Sequence, residues 1–274
     1  MSGGIPFVKM SGAGNDFVVL EARTWGSLAE GRAWVRRVCR RGLSVGADGV
    51  LVVGRESGGV RVVFFNPDGG EAFCGNGSRC AARFAFSRGI APARMTLATF
   101  AGDVAAEVAG DLVSLVLPPP RAYGEVVLPG PDRSQHRGRL IVAGVPHVVL
   151  PVSGVDTWPL ERVAPTLRRD PSLGTDGANV DIVEGGPGGV VRVRTWERGV
   201  EGETLACGSG AVAAAMAARI EGAGERVTVV PRSGIPLVVE LPGDPYHPSH
   251  ARLEGDARFV FEGELSSEGL GPAS

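Results

Sequence analysis

The sequence predicts an α+β protein of two pseudo-symmetric domains, each a curved, mostly antiparallel sheet or barrel wrapped around one central helix. The first observation is an internal repeat: CGNGSRCAARFAFSRG begins at Cys74, and CGSGAVAAAMAARIEG begins at Cys207, about half a chain later. The second is that the run after each cysteine is apolar on every side, so each helix must be surrounded. Because there are only two copies, the repeat favours two similar domains over a solenoid.

The segments around the two helices follow one order in both halves. Apolar β-branched runs such as IPFVKM and DFVVLEA predict strands, and NPDGGEAF and RGVEGETLA are polar turns before the cysteines. Between the early strands, SLAEGRAWVRRVCRR predicts a helix opened by a capping box of Ser27 and Glu30. PPPRAYG breaks the pattern and predicts domains at 1–120 and 121–262, although the first could also take in the final strand near 263–274.

Composition excludes several classes of function. The formal net charge is −2, which gives no basic face for nucleic acid. No segment approaches eighteen uninterrupted apolar residues, so no membrane span is expected. The N-terminal MSGGIPFVKM lacks the pattern of a secretory signal. These observations predict a cytoplasmic protein with reduced thiols.

The residues also argue against a cofactor or a metal. Pyridoxal phosphate requires a Schiff-base lysine, and the only lysine is Lys9, in the first predicted strand. There is no CxxC, and His247 and His250 form an HxxH in a proline-containing loop that is expected to be solvated. GSGAVA resembles the start of a dinucleotide fingerprint, but a polar turn stands where a buried strand is required. No cofactor and no metal are therefore expected.

The placement of Cys74 and Cys207 predicts their chemistry. Unpaired backbone N–H groups and the helix dipole favour negative charge at a helix N-terminus, so the pKa of a thiol there is expected to fall. Two such thiols facing one cleft could act as base and acid on opposite faces of one carbon and invert it. Cys39 and Cys80, among apolar neighbours, are predicted to be core residues.

Four segments resemble the diaminopimelate epimerase family: MSGAGNDFVVL, NPDGGEAFCGNGSRCAARF, GANVDIV and ERGVEGETLACGSGAVAAA. The resemblance implies a cofactor-independent isomerase with its active site between two similar domains. It implies interconversion of LL- and meso-diaminopimelate, in bacterial lysine and peptidoglycan precursor biosynthesis. The partner it implies is a small amino-acid substrate, and it allows a homodimer.

The resemblance also implies residue roles. Cys74 and Cys207 would be the catalytic acid–base pair, and His147 and Glu197 would tune the thiols, although a structural His147 is nearly as good a reading. The side chains that would hold the substrate are those of Asn15, Asn66, Asn179, Glu197 and Arg198. The residues that would bind the carboxylate at the reacting centre through helix N-terminal amides are Gly75, Asn76, Gly208 and Ser209. Arg83 and Arg219, on the central helices, are expected to reach solvent.

Two positions depart from the resemblance. Gly49 stands where many members have a glutamine that contacts substrate, and Val145 stands where many have an asparagine. These losses leave open a racemase of the same fold that acts on another amino acid, such as histidine. A non-catalytic amino-acid-binding protein is a third reading, which the retention of both cysteines disfavours.

Overall fold

The computed structural model describes residues 4–28, 30–186 and 189–271. The chain forms two compact units: unit 1 comprises the residues up to Leu115 and those from Gly255 onward, and unit 2 is Val116–Glu254. The C-terminal segment thus belongs to the same unit as the N-terminus. Within the described ranges, no helix has both the length and the apolar character needed to cross a membrane.

The strands and helices can be given in chain order. The strands are β1 (Ile5–Gly12), β2 (Asn15–Glu21), β3 (Gly49–Glu56), β4 (Gly59–Phe65), β5 (Glu71–Ala72), β6 (Arg94–Thr99), β7 (Gly102–Ala109), β8 (Leu112–Leu117), β9 (Arg121–Pro129), β10 (Gln135–Ala143), β11 (Val145–Pro151), β12 (Asn179–Gly185), β13 (Val190–Glu197), β14 (Gly202–Thr204), β15 (Arg226–Val230), β16 (Leu237–Glu240), β17 (Ala251–Asp256) and β18 (Arg258–Leu265). The helices are α1 (Ala22–Gly26), α2 (Arg32–Val38), α3 (Gly75–Ser87), α4 (Leu160–Leu167) and α5 (Gly208–Ile220).

In unit 1 the paired strands run in the order β18-β1-β2-β3-β4-β6-β7. The pairs β2–β3 and β4–β6 are parallel, and the other pairs are antiparallel. The two-residue strand β5 folds back on the end of β4. This strand leads directly to Cys74 at the start of α3.

Unit 2 repeats this topology in the order β9-β10-β11-β12-β13-β15-β16-β17. The parallel pairs are β11–β12 and β13–β15, and the short strand β14 folds back on β13 just before Cys207. Each strand from β10 to β16 therefore has a counterpart from β1 to β7. The α+β class and the mixed, mostly antiparallel sheets are as the repeated sequence pattern predicts.

The two central helices are enclosed by the sheet of their own unit. Helix α3 packs against β1, β2, β3, β4, β6 and β7, and α5 packs against the six counterparts in unit 2. Residues 210–216 of α5 are all buried, so the all-round apolar pattern is explained. A second layer covers the other face of each sheet: Trp34, Val35 and Val38 of α2 in unit 1, and Leu160 and Val163 of α4 in unit 2.

Two local predictions are wrong. The helix expected from Ser27 onward begins later: α2 starts at Arg32 with Gly31, at φ 49°, as its N-cap, whereas Ser27 is the C-cap of the separate short helix α1. Arg219 does not reach solvent, since it is 8% exposed and donates to the carbonyl oxygens of Leu241 and Gly243. The polar ends of the central helices are thus tied to neighbouring backbone.

Candidate active site

Cys74 is the N-cap residue of α3. Its backbone is extended (φ −137°, ψ 113°), and its Sγ accepts a hydrogen bond from the backbone N–H of Gly77 at 3.3 Å. The sulfur therefore takes the place that a serine or aspartate oxygen takes in an ordinary N-cap. The side chain is half-buried, and the first-turn amides of the helix lie beside it.

Cys207 is the N-cap residue of α5 and lies in a different environment. It is 8% exposed, and its Sγ lies 3.3 Å from Ser209 Oγ. Burial raises the pKa of the Cys207 thiol well above its usual range, and the negative charges of Glu197 and Asp181 raise it further. Hydrogen bonds from Ser209 and from the backbone N–H of Gly210 lower the pKa of Cys207, but their effect is smaller than that of burial. The expected lowering of the pKa at the helix N-terminus is therefore wrong for Cys207, because desolvation outweighs the dipole.

The second glycine of each Cys-Gly-x-Gly turn allows close packing. A Cβ at Gly210 would lie 2.6 Å from Asp181 Oδ1 and 3.0 Å from Thr195 Oγ1. A Cβ at Gly77 would lie 3.1 Å from Leu51 Cδ2. Glycine at these positions lets the first turn of each helix approach the neighbouring strands, which sets where the cysteine lies.

In unit 1 the asparagines Asn15 and Asn76 are hydrogen-bonded to each other. Asn15 begins β2, and Asn76 lies in the first turn of α3, where it is 2% exposed. Asn76 Nδ2 donates to Asn15 Oδ1 at 2.5 Å, and Asn15 Nδ2 donates to Asp48 Oδ2 at 3.0 Å. Gly12 allows this contact, because a Cβ there would lie 3.1 Å from the Asn76 carbonyl oxygen. Two of the predicted substrate residues are thus held as one group.

Asn66 is positioned by a tight turn between β4 and β5. Its N–H donates to the carbonyl oxygen of Gly70 and its carbonyl oxygen accepts from the N–H of Gly69, both at 2.8 Å. The half-exposed Asn66 amide makes no side-chain hydrogen bond within the described part of the chain. Its side chain remains available for a ligand, as the prediction of a binding role requires.

In unit 2 His147 and Asn179 lie opposite each other on the parallel strands β11 and β12. His147 Nδ1 donates to Asp181 Oδ2 at 2.6 Å, and both residues are fully buried. The other ring nitrogen, Nε2, therefore faces Asn179 Nδ2 at 3.3 Å as an acceptor. Thr195 Oγ1 donates to the second carboxylate oxygen of Asp181 at 2.6 Å. The His147 ring thus contacts both Asp181 and Asn179, and its effect on a thiol stays a prediction.

Glu197 is the last residue of β13, and Arg198 comes directly after it. The backbone N–H of Arg198 donates to Asn179 Oδ1 at 2.7 Å, so the orientation of the Asn179 amide is fixed from both sides. The Arg198 guanidinium lies 4.0 Å from Asp176 and remains partly exposed. The charge of Glu197 raises the pKa of Cys207, and the catalytic role of Glu197 stays a prediction.

Comparison with known proteins decides the family. The sequence model described as Diaminopimelate epimerase matches residues 7–116 and 139–251. A protein of Aquifex aeolicus (strain VF5) named diaminopimelate epimerase is 38% identical over 96% of this chain and 99% of its own. A Gemmatimonas aurantiaca protein of the same name is 37% identical over 95% and 99%. This chain belongs to the diaminopimelate epimerase family.

Solved structures outside the family share its fold. A probable proline racemase from Agrobacterium radiobacter K84 has a TM-score of 0.71 at 16% identity and covers 97% of this chain and 96% of its own. A hydroxyproline epimerase from Agrobacterium vitis has a TM-score of 0.70 at 16% identity and covers 98% and 95%. At this identity the likeness establishes only the fold, which is the two-unit fold predicted from the repeat.

The glycine at position 49, where many family members have glutamine, is explained by its close neighbours. A Cβ at Gly49 would lie 2.3 Å from the ring of Phe64 and 2.6 Å from the Phe65 carbonyl oxygen. The Phe64 ring packs edge-on against Phe17 and fills the space into which a side chain at position 49 would extend. Val145 starts β11 after the positive-φ residue Gly144, at the hairpin position that Asn15 holds in unit 1.

Sequence reasoning missed the residues that orient the predicted ones. Asp48 and Asp181 accept from Asn15 and His147, and Arg79 donates to Asn76 Oδ1 at 2.9 Å. A usable signal did exist for Arg79, since it is the one charged residue among the small, polar and apolar residues of the first two turns of α3. Cys39 and Cys80 are buried as predicted, at 6% and 0% exposure.

Proposed function

We propose that this protein interconverts LL- and meso-2,6-diaminopimelate by proton transfer at one α-carbon, without a cofactor, in the synthesis of lysine and peptidoglycan precursors. The observation that carries the proposal is the pair Cys74 and Cys207. In a chain of this family, they cap equivalent helices in two units of the same topology. One thiolate removes the α-proton, and the opposite thiol returns a proton to the other face.

The residues around each cysteine support distinct roles. The helix N-terminal amides of Gly75 and Asn76 in unit 1, and of Gly208 and Ser209 in unit 2, would hold the carboxylate at the reacting centre and stabilise the negative charge that develops there. The side chains that would hold the distal ammonium and carboxylate are those of Asn15, Asn66, Asn179, Glu197 and Arg198. The fixed amide of Asn179 and the adjacent Arg198 offer an acceptor and a cation.

The high pKa of Cys207 fits one partner of such a reaction. At neutral pH a thiol whose pKa is raised by burial is protonated, and a two-thiol inversion requires one protonated sulfur in each direction. Glu197 favours the same form. The half-buried Cys74 differs from Cys207 in its exposure and accepts the Gly77 N–H at the start of α3.

The test follows deuterium from solvent into each isomer. With LL-diaminopimelate in D₂O, the meso product should carry deuterium at the inverted centre, and unreacted substrate should stay largely unlabelled early in the reaction. Cys74→Ser and Cys207→Ser should each lower turnover by about 10²–10⁴-fold, the usual contribution of general acid–base groups. Turnover at the parental rate in either variant would refute the two-thiol mechanism.

A second candidate is racemisation of a different amino acid by the same two thiols. The Phe64 ring that fills the space at Gly49 favours this alternative, because it leaves no room there for a polar side chain that could contact substrate. A panel that includes histidine, proline and glutamate alongside diaminopimelate separates the two candidates. Turnover of another member of the panel, with none of diaminopimelate, would favour the alternative.

The proposal includes a setting for the enzyme. We place it in the cytoplasm, acting on a small amino acid without nucleic acid, and the family resemblance allows a homodimer. Light scattering of the purified protein across a range of concentrations tests the dimer, and a monomer mass throughout would exclude it.

A further inference from the structure

Arg79 is a buried charge inside a helix that does not need one for its packing. It lies five residues after Cys74 on α3 and is 0% exposed. The residue at the same place after Cys207 on α5 is Val212, 2% exposed. Burial lowers the pKa of the Arg79 guanidinium, which reports the cost of taking this charge out of water. An apolar side chain fills the equivalent place in unit 2.

Arg79 begins a chain of hydrogen bonds with a fixed direction. Its Nη2 donates to Asn76 Oδ1 at 2.9 Å, and Asn76 Nδ2 then donates to Asn15 Oδ1. Asn15 Nδ2 donates in turn to Asp48. A guanidinium can only donate and a carboxylate can only accept, so neither amide can flip without losing two bonds. We call these four residues the amide relay.

A second contact ties Arg79 to the loop that carries Asn15. Arg79 Nε donates to the carbonyl oxygen of Asp256 at 3.3 Å, and Asp256 Oδ1 accepts the N–H of Ala13 at 2.6 Å. Ala13 has φ 52°, a conformation that a non-glycine residue rarely adopts. The side chain of Asp256 thus stabilises the hairpin turn, and Arg79 holds that segment against α3.

The counterpart positions in unit 2 show that the relay is not a requirement of the fold. The strand registers and the helix starts place Val145 at the position of Asn15, Ala178 at that of Asp48, and Ser209 at that of Asn76. With Val212, the counterparts carry neither an amide nor a charge. All four polar groups are present in one unit and absent from the other, although the two units share a topology.

We propose that Arg79 is a positioning residue for substrate: by fixing the amide of Asn76, it also fixes that of Asn15, which then presents its side chain to substrate in a single orientation. This inference rests on the proposed function, in which Asn15 holds a group of the substrate that does not react. Asn15 would then bind ground state and transition state equally, so its misorientation should raise KM more than it lowers kcat.

The chain offers a matched control in Arg83. Arg83 lies one turn further along α3, donates to the carbonyl oxygen of Ala257, and stacks over Phe259 at 5.2 Å. It thus shares the helix and the neighbouring backbone with Arg79, but its described contacts are with Ala257 and Phe259 and lie outside the amide relay. Arg79→Lys keeps the charge and cannot reach both acceptors, and Arg83→Lys makes the same chemical change outside the relay.

The experiment has a readout that does not depend on activity. The sequence contains four asparagines and one glutamine, so the side-chain amide region of a ¹⁵N spectrum holds five pairs of signals, assignable by single substitutions. In Arg79→Lys the Asn15 and Asn76 signals should shift and exchange faster with solvent, while those of Asn66 and Asn179 stay. Arg83→Lys should leave all of them unchanged. With diaminopimelate, KM should rise about tenfold for Arg79→Lys, the worth of one hydrogen bond, and change less than twofold for Arg83→Lys.

Unchanged Asn15 and Asn76 signals with parental KM in Arg79→Lys would overturn the inference, as would equal effects in the two lysine variants. If Arg79→Lys does not fold, Asn76→Ser, which introduces the residue of unit 2, breaks the relay from its centre and should release the Asn15 signal in the same way. In the Asn76→Ser background, Arg79→Lys should raise KM no further. If the Asn15 and Asn76 signals shift as expected in Arg79→Lys, but the parental protein does not epimerise diaminopimelate, the proposed function is refuted and the relay stands.

Discussion

At the scale of single residues, burial decides the charge of the thiols. Cys39 and Cys80 are enclosed by core residues, and burial raises the pKa of each from 9.0 to about 12. Cys207 shares this direction although it caps a helix. The half-positive charge of a helix end is worth about 0.3–1 kcal/mol at the surface, which is less than desolvation costs a buried thiolate. Position in the sequence therefore predicted where Cys207 lies, but not its protonation.

The buried thiol of Cys39 makes stability depend on alkaline pH. Its pKa is higher in the folded than in the unfolded chain, so its contribution is complete below pH 9 and is lost as pH rises from 9 towards 12. Urea unfolding between pH 8 and pH 11 should show that the Cys39→Val protein loses less stability than the parent, by about 1.4 kcal/mol per pH unit above pH 9.5. Parallel curves for the two proteins would contradict this assignment.

Gly49 is required by its neighbours. Replacing Gly49 with glutamine, as in the family pattern, should destabilise the protein by about 1–3 kcal/mol, because the new Cβ meets the Phe64 ring and the Phe65 carbonyl oxygen. Thermal unfolding measures the loss. Adding Phe64→Ala should not restore stability, since the backbone contact remains and a core ring is lost. A stable Gly49→Gln protein would show that β3 and β4 can separate here.

The His147–Asp181 pair is expected to behave as a unit. His147→Leu alone leaves the Asp181 carboxylate buried with Thr195 as its remaining side-chain donor, and should cost about 3–5 kcal/mol. The double variant His147→Leu/Asp181→Leu removes the buried charge and should recover part of that loss. Denaturant midpoints of the parent, of His147→Leu, of Asp181→Leu and of the double variant test the coupling. Additive losses would mean that the two residues act independently.

At the scale of elements, most of the fold could be predicted from the internal repeat. Two all-round apolar helices, each preceded by a polar turn and strands, suffice to predict an enclosed helix in each half. The short strands β5 and β14 were hidden in those polar turns, because two or three paired residues leave no periodicity. Strand β17, six residues long, follows a proline-containing loop and was also missed. The amide relay could not be predicted, since its four members come from segments that meet only in the folded chain.

The break between α1 and α2 provides a test at this scale. Ser27 is exposed, and its Oγ donates to the Thr24 carbonyl oxygen instead of accepting from a first-turn N–H. Ser27→Ala should therefore change the free energy of unfolding by less than about 0.5 kcal/mol, the range of ordinary surface substitutions. Asp170 is the N-cap of a short 3₁₀ helix, Pro171–Leu173, and its carboxylate accepts from the N–H of Ser172 at 2.9 Å. Asp170→Ala should cost about 1 kcal/mol, and equal losses would restore the capping-box interpretation of Ser27.

At the scale of the whole molecule, unit 1 is closed by the end of the chain. Strand β18 pairs with β1, just as β9 pairs with β10 in unit 2. The same place in the topology is thus filled by the last strand in unit 1 and by the first strand in unit 2. Leu265 and Leu270 from this segment are buried in one cluster with Phe7 and Trp34. Unit 2 is formed by continuous chain, and unit 1 is not.

This arrangement predicts how truncation affects the two units. A chain that ends at Ala257 loses the β18 pairing and two buried leucines, each worth about 2–5 kcal/mol when cut back to alanine. Hydrogen exchange should show loss of protection in β1 and α2, while β10 to β13 and α5 keep theirs. A chain that ends at Gly271 is the control, because it keeps β18, both leucines and the Gly271 carbonyl oxygen that accepts from Arg37.

Two results would contradict this prediction. If the shorter chain loses protection equally in both units, the units unfold as one cooperative body. If β1 stays protected, β18 does not stabilise unit 1. Selective loss would show that the repeat produced two separately stable halves, and that the N-terminal half depends on the last strand of the chain.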